Sequence, residues 1–465
     1  MSPLVPDKMK KPRNKPLTAI LIGAGQRGVQ PFGAYARANP DQLKIVGVVE
    51  PNDQRRTRFS HDHNIPASHQ FENVQAMYKN GKLADLVFNA SPDRFHVSTT
   101  LPAIAMGYHI LLEKPIAQNM EQLTAFFRAT QSAVGQHLWV MHELRQSPYF
   151  KRVKQLISSK TIGDLVTLLH TESPAFWHMA HSYVRGNWSI EAENAPFLIT
   201  KACHDLDLLT WFLDRPANQI QSFGSLKEFR TENAPPGAPE RCTDGCPVAA
   251  TCPYDAQRLY LGANTGWPVS VISSDVSVAA RLKALQTGPY GRCVYHCDND
   301  VLDHQIVNIE FEEGVTVAFT LTGHGPENTR KFAYDGTRGH LSGDFERGEL
   351  THWEYPHPVP QMMDISCTES GHGGGDSAMI EAFLNAVKSD ATPDNRGLAQ
   401  GLYAHILGFA AEESRKSGCV VNLTHFGREM GAALWTKLLQ AAFPGINPNL
   451  GQNDYPTVGS GSPGV

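Results

Sequence analysis

Short unbroken apolar runs recur along the first 141 residues, separated by stretches of helical length. Leu17–Ile22, Leu43–Val49, Leu86–Ala90, His109–Leu112 and Leu138–Met141 are such runs. Short apolar runs bounded by turn signals read as strands buried on both faces. His96 to Met106 carries a helical period, and Gly107 stands where a C-cap belongs. Strands spaced by helices predict right-handed βαβ units and a parallel sheet over residues 17–141. Ligands on such sheets bind beyond the carboxyl ends of the strands.

After residue 142 the pattern changes. Tyr149–Ser158 is an amphipathic helix with Phe150, Val153, Leu156 and Ile157 near one face. Leu165–His170 is a strand. Ile306–Phe311 and Val315–Leu321 flank Glu312-Glu313-Gly314, a hairpin signal. Lys331–Tyr334, His340–Leu341 and Glu349–Tyr355 are further short strands, and consecutive strands with short turns predict antiparallel pairing. Asp376 caps a helix whose Met379, Ile380, Phe383, Leu384 and Val387 form one apolar face, and Leu402–Lys416 is another, ended by Gly418. The prediction is a second α/β domain over residues 142–442.

Composition narrows the class. The 465 residues are 41% hydrophobic and 19% charged, the profile of a soluble globular chain with material for two full cores. A net charge of −5 gives no overall pull toward nucleic acid or anionic membrane. No apolar run reaches the roughly 18 residues a membrane span needs. Residues 1–16 are basic and proline-containing without an apolar h-region, so they read as a disordered leader, and a cytoplasmic location is expected. Residues 443–465, rich in Pro, Gly, Asn and Ser, are expected to form a flexible tail.

The first two strands bracket Gly23-Ala24-Gly25-Gln26-Arg27-Gly28. Gly23 permits the tight turn out of the strand. Gly25 lets a pyrophosphate approach the backbone, and Gly28 lets the following helix pack closely. Free N–H groups at that helix start attract phosphate. Glu50 follows Gly28 by 22 positions and ends the second strand, where an acid accepts hydrogen bonds from the adenosine ribose. Strand before, helix after and acid at the right distance make this a dinucleotide-binding unit. A 2′-phosphate would meet the Glu50 carboxylate, so NAD is expected over NADP. Arg55 and Arg56, at the start of the next helix, are the residues that could favour NADP instead.

Ser91–Asp93, Glu113–Pro115 and His142–Arg145 also fall at the predicted strand ends, which places them in one site with the glycine turn. Together the G-x-G-x-x-G turn, Ser91-Pro92 with His96 after it, and above all Glu113-Lys114-Pro115 resemble the Gfo/Idh/MocA oxidoreductases, named for glucose–fructose oxidoreductase and inositol dehydrogenase. Arg145-x-x-Pro148, Ile162-Gly163-Asp164 and His204-Asp205-Leu206-Asp207-Leu208-Leu209 agree, and the resemblance runs from about Leu17 to about Asn422. It implies a Rossmann domain followed by an α/β domain with a large, open, mostly antiparallel sheet. It also implies binding of NAD or NADP, action on sugars, polyols and related carbohydrates, and a homo-oligomer, dimer or tetramer. Ser91, Pro92, His96 and Glu113 join the expected cofactor contacts.

Lys114, at a strand end, is the expected electrostatic catalyst, since an ammonium there steadies a developing alkoxide. His204, whose side chain titrates near neutrality, is the expected proton acceptor. The family pattern often has aspartate four residues before this histidine. Here that position is Thr200, with Lys201 beside it. Threonine cannot raise the histidine's basicity by charge, so Lys114 is expected to share the task, with Lys201 either placing a second positive charge near the substrate or facing solvent. Arg145, Thr200 and the aromatic stretch Phe176–Trp188, with Trp177, Arg185 and Trp188, are the candidate substrate contacts. That stretch fits a subunit interface equally well.

Five of the eight cysteines fall in two clusters within a proline-rich insertion at about residues 230–300: Cys242-x₃-Cys246-x₅-Cys252 and Cys293-x₃-Cys297. Four readings stand: a structural zinc, an iron–sulfur cluster, disulfides in an exported protein, and free thiols. The functional expectation is a dehydrogenase of carbohydrate hydroxyls. Its rivals are an NAD-dependent glycosidase working through transient C3 oxidation and elimination, and a non-catalytic NAD-binding sensor.

Overall fold

Six strands make the first sheet: β1 (Leu17–Ile22), β2 (Leu43–Val49), β3 (Gln70–Phe71), β4 (Leu86–Asn89), β5 (His109–Leu112) and β6 (Leu138–Val140). In this computed structural model, which describes residues 15–273, 275–357, 359–365, 372–389 and 391–445, their order is β3-β2-β1-β4-β5-β6, all parallel. Nearly every residue of β1, β4 and β5 is buried, which is why these strands read as solid apolar runs. The strand order steps outward from β1 in both directions, so β1 and β4 flank the reversal point where such sheets bind ligands. Most of the expected leader and tail lies outside the described residues.

The second sheet comprises β7 (Leu165–Ser173), β8 (Ala217–Ser225), β9 (His304–Phe311), β10 (Thr316–Thr322), β11 (Thr329–Gly336), β12 (Gly339–Asp344), β13 (Glu349–Glu354), β14 (Gln361–Asp364) and β15 (Val421–Asn422). Among the described residues its order is β14-β13-β12-β11-β7-β10-β9-β8-β15. All neighbours run antiparallel except β7 and β10, which pair in parallel from Thr167↔Thr316 to Glu172↔Leu321. The helices Phe197–Leu213 and Arg396–Ser417 join the core on one face. The other face leaves Leu169, Phe223, Ile306 and Trp353 exposed.

The helix Gly375–Lys388 falls by sequence in the second domain but packs on the first sheet. Its Met379, Ile380, Phe383, Leu384 and Val387 share a buried cluster with Phe32, Phe59 and Phe88. The chain thus returns to the first domain and brings the residues before this helix to the carboxyl ends of β1, β5 and β6.

Candidate active site

Gly23 leaves β1 with φ +91° and donates its N–H to the Val49 carbonyl at 2.8 Å. A Cβ at Gly23 would collide with the Ala90 carbonyl, and one at Gly28 with the Gly23 carbonyl. At Gly25 nothing lies within 4 Å of where a Cβ would stand, so the backbone there is open to a pyrophosphate. The Glu50 carboxylate closes the unit: Oε2 accepts the Ala24 N–H and Oε1 the Asn52 N–H, both at 2.9 Å. Each oxygen keeps a lone pair for a ribose hydroxyl. Arg56 is committed to the Glu50 carbonyl and to Asp53, both at 2.7 Å, while Arg55 is exposed on the rim. These residues fit an adenine dinucleotide.

A cleft of ≈ 2740 Å³ runs from this turn to the second sheet. It exceeds the roughly 300–1,000 Å³ of ordinary small-molecule pockets, room for a dinucleotide and a substrate together. Gly23, Ala24, Gly25, Gln26, Arg27, Glu50, Arg55, Ser91, Pro92, His96, Glu113 and Lys114 line it, while Gly28 lies behind the turn. His96 braces the walls, with its ring nitrogens 2.6 Å from the Pro115 carbonyl and 2.8 Å from that of Ser91.

Lys114 follows β5 and donates from Nζ to the Thr200 carbonyl at 2.9 Å, one helical turn before His204. Both residues line the cleft. His204 is buried, and neither ring nitrogen has a hydrogen-bond partner. Burial first, then the charges of Lys114, His372 and Arg330, hold its pKa well below the usual histidine value, so it stands neutral and able to accept a proton.

Residues 17–142 match the profile of an oxidoreductase family with an NAD-binding Rossmann fold, and residues 154–423 match that family's C-terminal α/β domain. The chain belongs to the Gfo/Idh/MocA family. It is 21% identical over 358 residues to a putative oxidoreductase, YteT, of Bacillus subtilis, covering 73% of this chain and 81% of that one. It is 24% identical over 201 residues to an inositol 2-dehydrogenase of Corynebacterium glutamicum, covering 43% of this chain and 54% of that one. The fold matches a levoglucosan dehydrogenase solved with NADH and levoglucosan, at TM-score 0.64 and 17% identity, over 88% of this chain and 100% of that chain. The protein is therefore an oxidoreductase with an NAD-binding fold.

Against the family pattern the surroundings of His204 are rearranged. The Thr200 hydroxyl donates back to the carbonyls of Pro196 and Phe197, both at 3.3 Å, and does not serve the histidine. The acid beside His204 is instead Glu143, just past β6, with Oε1 3.7 Å from Nε2. That carboxylate also meets His372 Nδ1 at 2.9 Å. Burial alone would lower the His372 pKa, but Glu143 and Asp376 together push it up to about 9. Asp376 in turn takes the Arg27 guanidinium through both oxygens at 2.9 and 3.1 Å, and Arg27 Nε donates to Glu113 at 2.7 Å. Glu143 lies within the His142–Arg145 strand end that the sequence places in the site, whereas His372 and Asp376 belong to a stretch whose glycines, just before a helix, let the backbone come close to a ligand or only shape the turn.

Lys201 lines the cleft but is paired with Glu172 at 2.9 Å, and Glu172 also holds Arg330 at 2.9 Å. Of the expected substrate contacts, His204, Trp188 and Arg185 border the cleft, while Arg145, Trp177 and Thr200 do not. Arg145 is locked on Asp207 at 2.6 and 2.7 Å. Trp188 spends its indole N–H on Asp93 at 2.9 Å, which ties the two domains across the cleft. Arg185 turns its guanidinium into the cysteine-rich insertion. Among the described residues no helix is long and apolar enough to cross a membrane.

Proposed function

We propose that this oxidoreductase is an NAD-dependent dehydrogenase of a hydroxyl on a sugar, polyol or glycoside. The observation that carries the reading is the meeting of Lys114 and His204 in one cleft with the Gly23–Gly28 turn and Glu50. A dinucleotide held by the Gly23–Gly28 turn and Glu50 would supply the hydride acceptor. His204, neutral and with both ring nitrogens free, takes the hydroxyl proton. Lys114 has three donors and spends one on Thr200, so two remain for the alkoxide oxygen. Lys201, tied to Glu172, contributes positive charge at the substrate side. Relatives named inositol 2-dehydrogenase and D-glucoside 3-dehydrogenase support the substrate class. A carbohydrate panel with NAD and NADP tests the reading: reduced cofactor should accumulate with at least one polyol, sugar or glycoside. Tight NAD binding with no turnover across the panel would overturn it.

The Glu143–His372 pair favours a second reading, a glycosidase in which oxidation at C3 is transient. Simple dehydrogenation needs one proton acceptor. Elimination also needs an acid for the leaving group, and His372, with its raised pKa, can supply that proton. Nitrophenyl glycosides run beside the panel separate the two: release of nitrophenol without net cofactor reduction supports the glycosidase.

Cofactor choice follows from Glu50. With Arg56 occupied, Arg55 and Arg58 are the exposed cleft-lining cations on this helix that could meet a 2′-phosphate, while Glu50 closes the glycine turn itself. NAD should bind more tightly than NADP by roughly 1–3 kcal/mol, a typical coupling of sited charges. Glu50→Ser should narrow the gap. Titration of both cofactors by tryptophan quenching measures it, and tighter NADP binding by the wild type would move the role to Arg55.

The exposed apolar face of the second sheet, with Phe223 paired across from Ile306, supports a homo-oligomer in which a second copy covers it, and the mass in solution tests this.

A further inference from the structure

The insertion between β8 and β9 holds the remaining chemistry. Its own buried apolar cluster is Cys242, Ala256, Tyr260, Val269 and Leu285. Its Phe229, Val294, Tyr295 and Val301 join the main core, but five buried side chains are a small core for the part that projects beyond it, and segments so placed commonly rely on a staple.

The chain has already brought four cysteines to one place. Arg241 and Arg292 form an antiparallel bridge, with the Cys242 N–H on the Gly291 carbonyl and the Cys293 N–H on the Glu240 carbonyl, both at 2.9 Å. This register puts Cys242 and Cys293 on the same face as diagonal neighbours, about 7–8 Å apart by strand geometry. That is too far for a relaxed disulfide and suits two ligands on either side of an ion. Cys246 and Cys252 come from the turn that follows. All four line a cavity of ≈ 10 Å³, room for about one water-sized body and far too little for an iron–sulfur cube. Cys297 is not part of the group, since its thiol donates to the Cys293 carbonyl at 3.3 Å and faces the large cleft.

Arg185 supplies the independent sign. It is 4% exposed and lines the same cavity as Asp255, yet among the described residues it makes no direct ion pair with that or any other carboxylate. Its Nε donates to the Arg292 carbonyl at 2.7 Å. Its Nη2 donates to the Tyr254 carbonyl at 2.8 Å and reaches Cys242 Sγ at 3.6 Å. Nη1 makes no hydrogen bond of acceptable geometry, although Tyr260 lies beside it. A buried guanidinium without a counter-charge is strongly disfavoured. Four neutral thiols do not answer it. Four thiolates around a divalent ion carry a net charge of −2 and do.

We propose that Cys242, Cys246, Cys252 and Cys293 bind one structural zinc ion, with Arg185 as the buried cation that balances the thiolate centre. Four cysteine ligands make a closed tetrahedral site. The four thiols lose their protons to solvent as the ion enters, so binding weakens as pH falls. Among the described residues no three of these sulfurs lie within 4.8 Å of one another, so loading draws them inward by side-chain rotation.

The test uses the full chain, purified reduced and without chelator. Elemental analysis should find close to one zinc per chain. Cobalt added to the stripped protein should give the intense thiolate-to-cobalt charge-transfer band of a tetrahedral sulfur site. The Cys246→Ser and Cys252→Ser variants, which alter half-buried ligands, should lose the band, while Cys297→Ser and Cys419→Ser keep it. Arg185→Met should weaken zinc at least about tenfold in a competition titration with a chromogenic chelator. Stripped protein without a cobalt band, a band that survives Cys246→Ser, iron with acid-labile sulfide, or a disulfide among the four in the native protein would each overturn the assignment.

Discussion

Replacing His204 with asparagine is expected to lower kcat by about 10²–10⁴-fold, the range for losing a positioned general base. Asparagine keeps the size and polarity of the side chain but cannot take a proton. The effect should fall on kcat rather than on NAD affinity, because the glycine turn and Glu50 lie on other elements. The pH profile gives a sharper test. The base works only when neutral, and burial beside Lys114 holds the His204 pKa well below the usual value. Activity of the wild type should therefore persist below neutrality, then fall as pH drops through that lowered pKa, and the acid limb should vanish in His204→Asn. An unchanged limb would assign it to another group, with Glu143 the nearest candidate.

The parts of this site written within one βαβ unit were legible from sequence. Strand, glycine turn, helix and Glu50 are fixed by local pattern, and Lys114 follows a strand whose apolar run ends two residues earlier, at Leu112. Parts assembled from distant segments were not legible. Glu143 and His372 meet only because the Gly375–Lys388 helix returns to the first sheet, a packing choice that its apolar stripe announces without naming the partner surface. The parallel pairing of β7 with β10 is likewise hidden, because β8, β9 and the insertion intervene in the chain. Strand β8 was missed since Asn218, Gln219 and Gln221 break its apolar run, and β15 is only two residues long. Arg145 shows the opposite failure. It precedes a helix in the family manner and stands at a strand end, yet Asp207, one turn after His204, and Gln400 capture it between them. Strand-end position selects residues that can reach a ligand, and a buried carboxylate nearby decides which of them do.

Replacing Lys114 with alanine is expected to cut turnover at least about a hundredfold and leave cofactor affinity within a few-fold, the scale for removing one preorganised electrostatic group. Two features make the loss large. The ammonium is anchored by the Thr200 carbonyl at 2.9 Å, so it needs no reorganisation when charge develops on the substrate oxygen. It also lies where Thr200 has replaced the aspartate that often precedes the family's histidine, so less negative charge stands nearby to blunt it. The carboxylates that remain are already paired: Glu113 with Arg27, Glu143 with His372, and Glu172 with both Lys201 and Arg330. Alanine removes the charge and leaves the Thr200 carbonyl without this donor, whereas Lys114→Met keeps the length of the side chain and removes the charge alone. Both variants should lose turnover alike if charge is the cause. Steady-state kinetics with NAD and the substrate found in the panel, beside cofactor titration, read the split. Turnover within a few-fold of wild type in Lys114→Met would remove the ammonium from the mechanism and leave His204 to act without it.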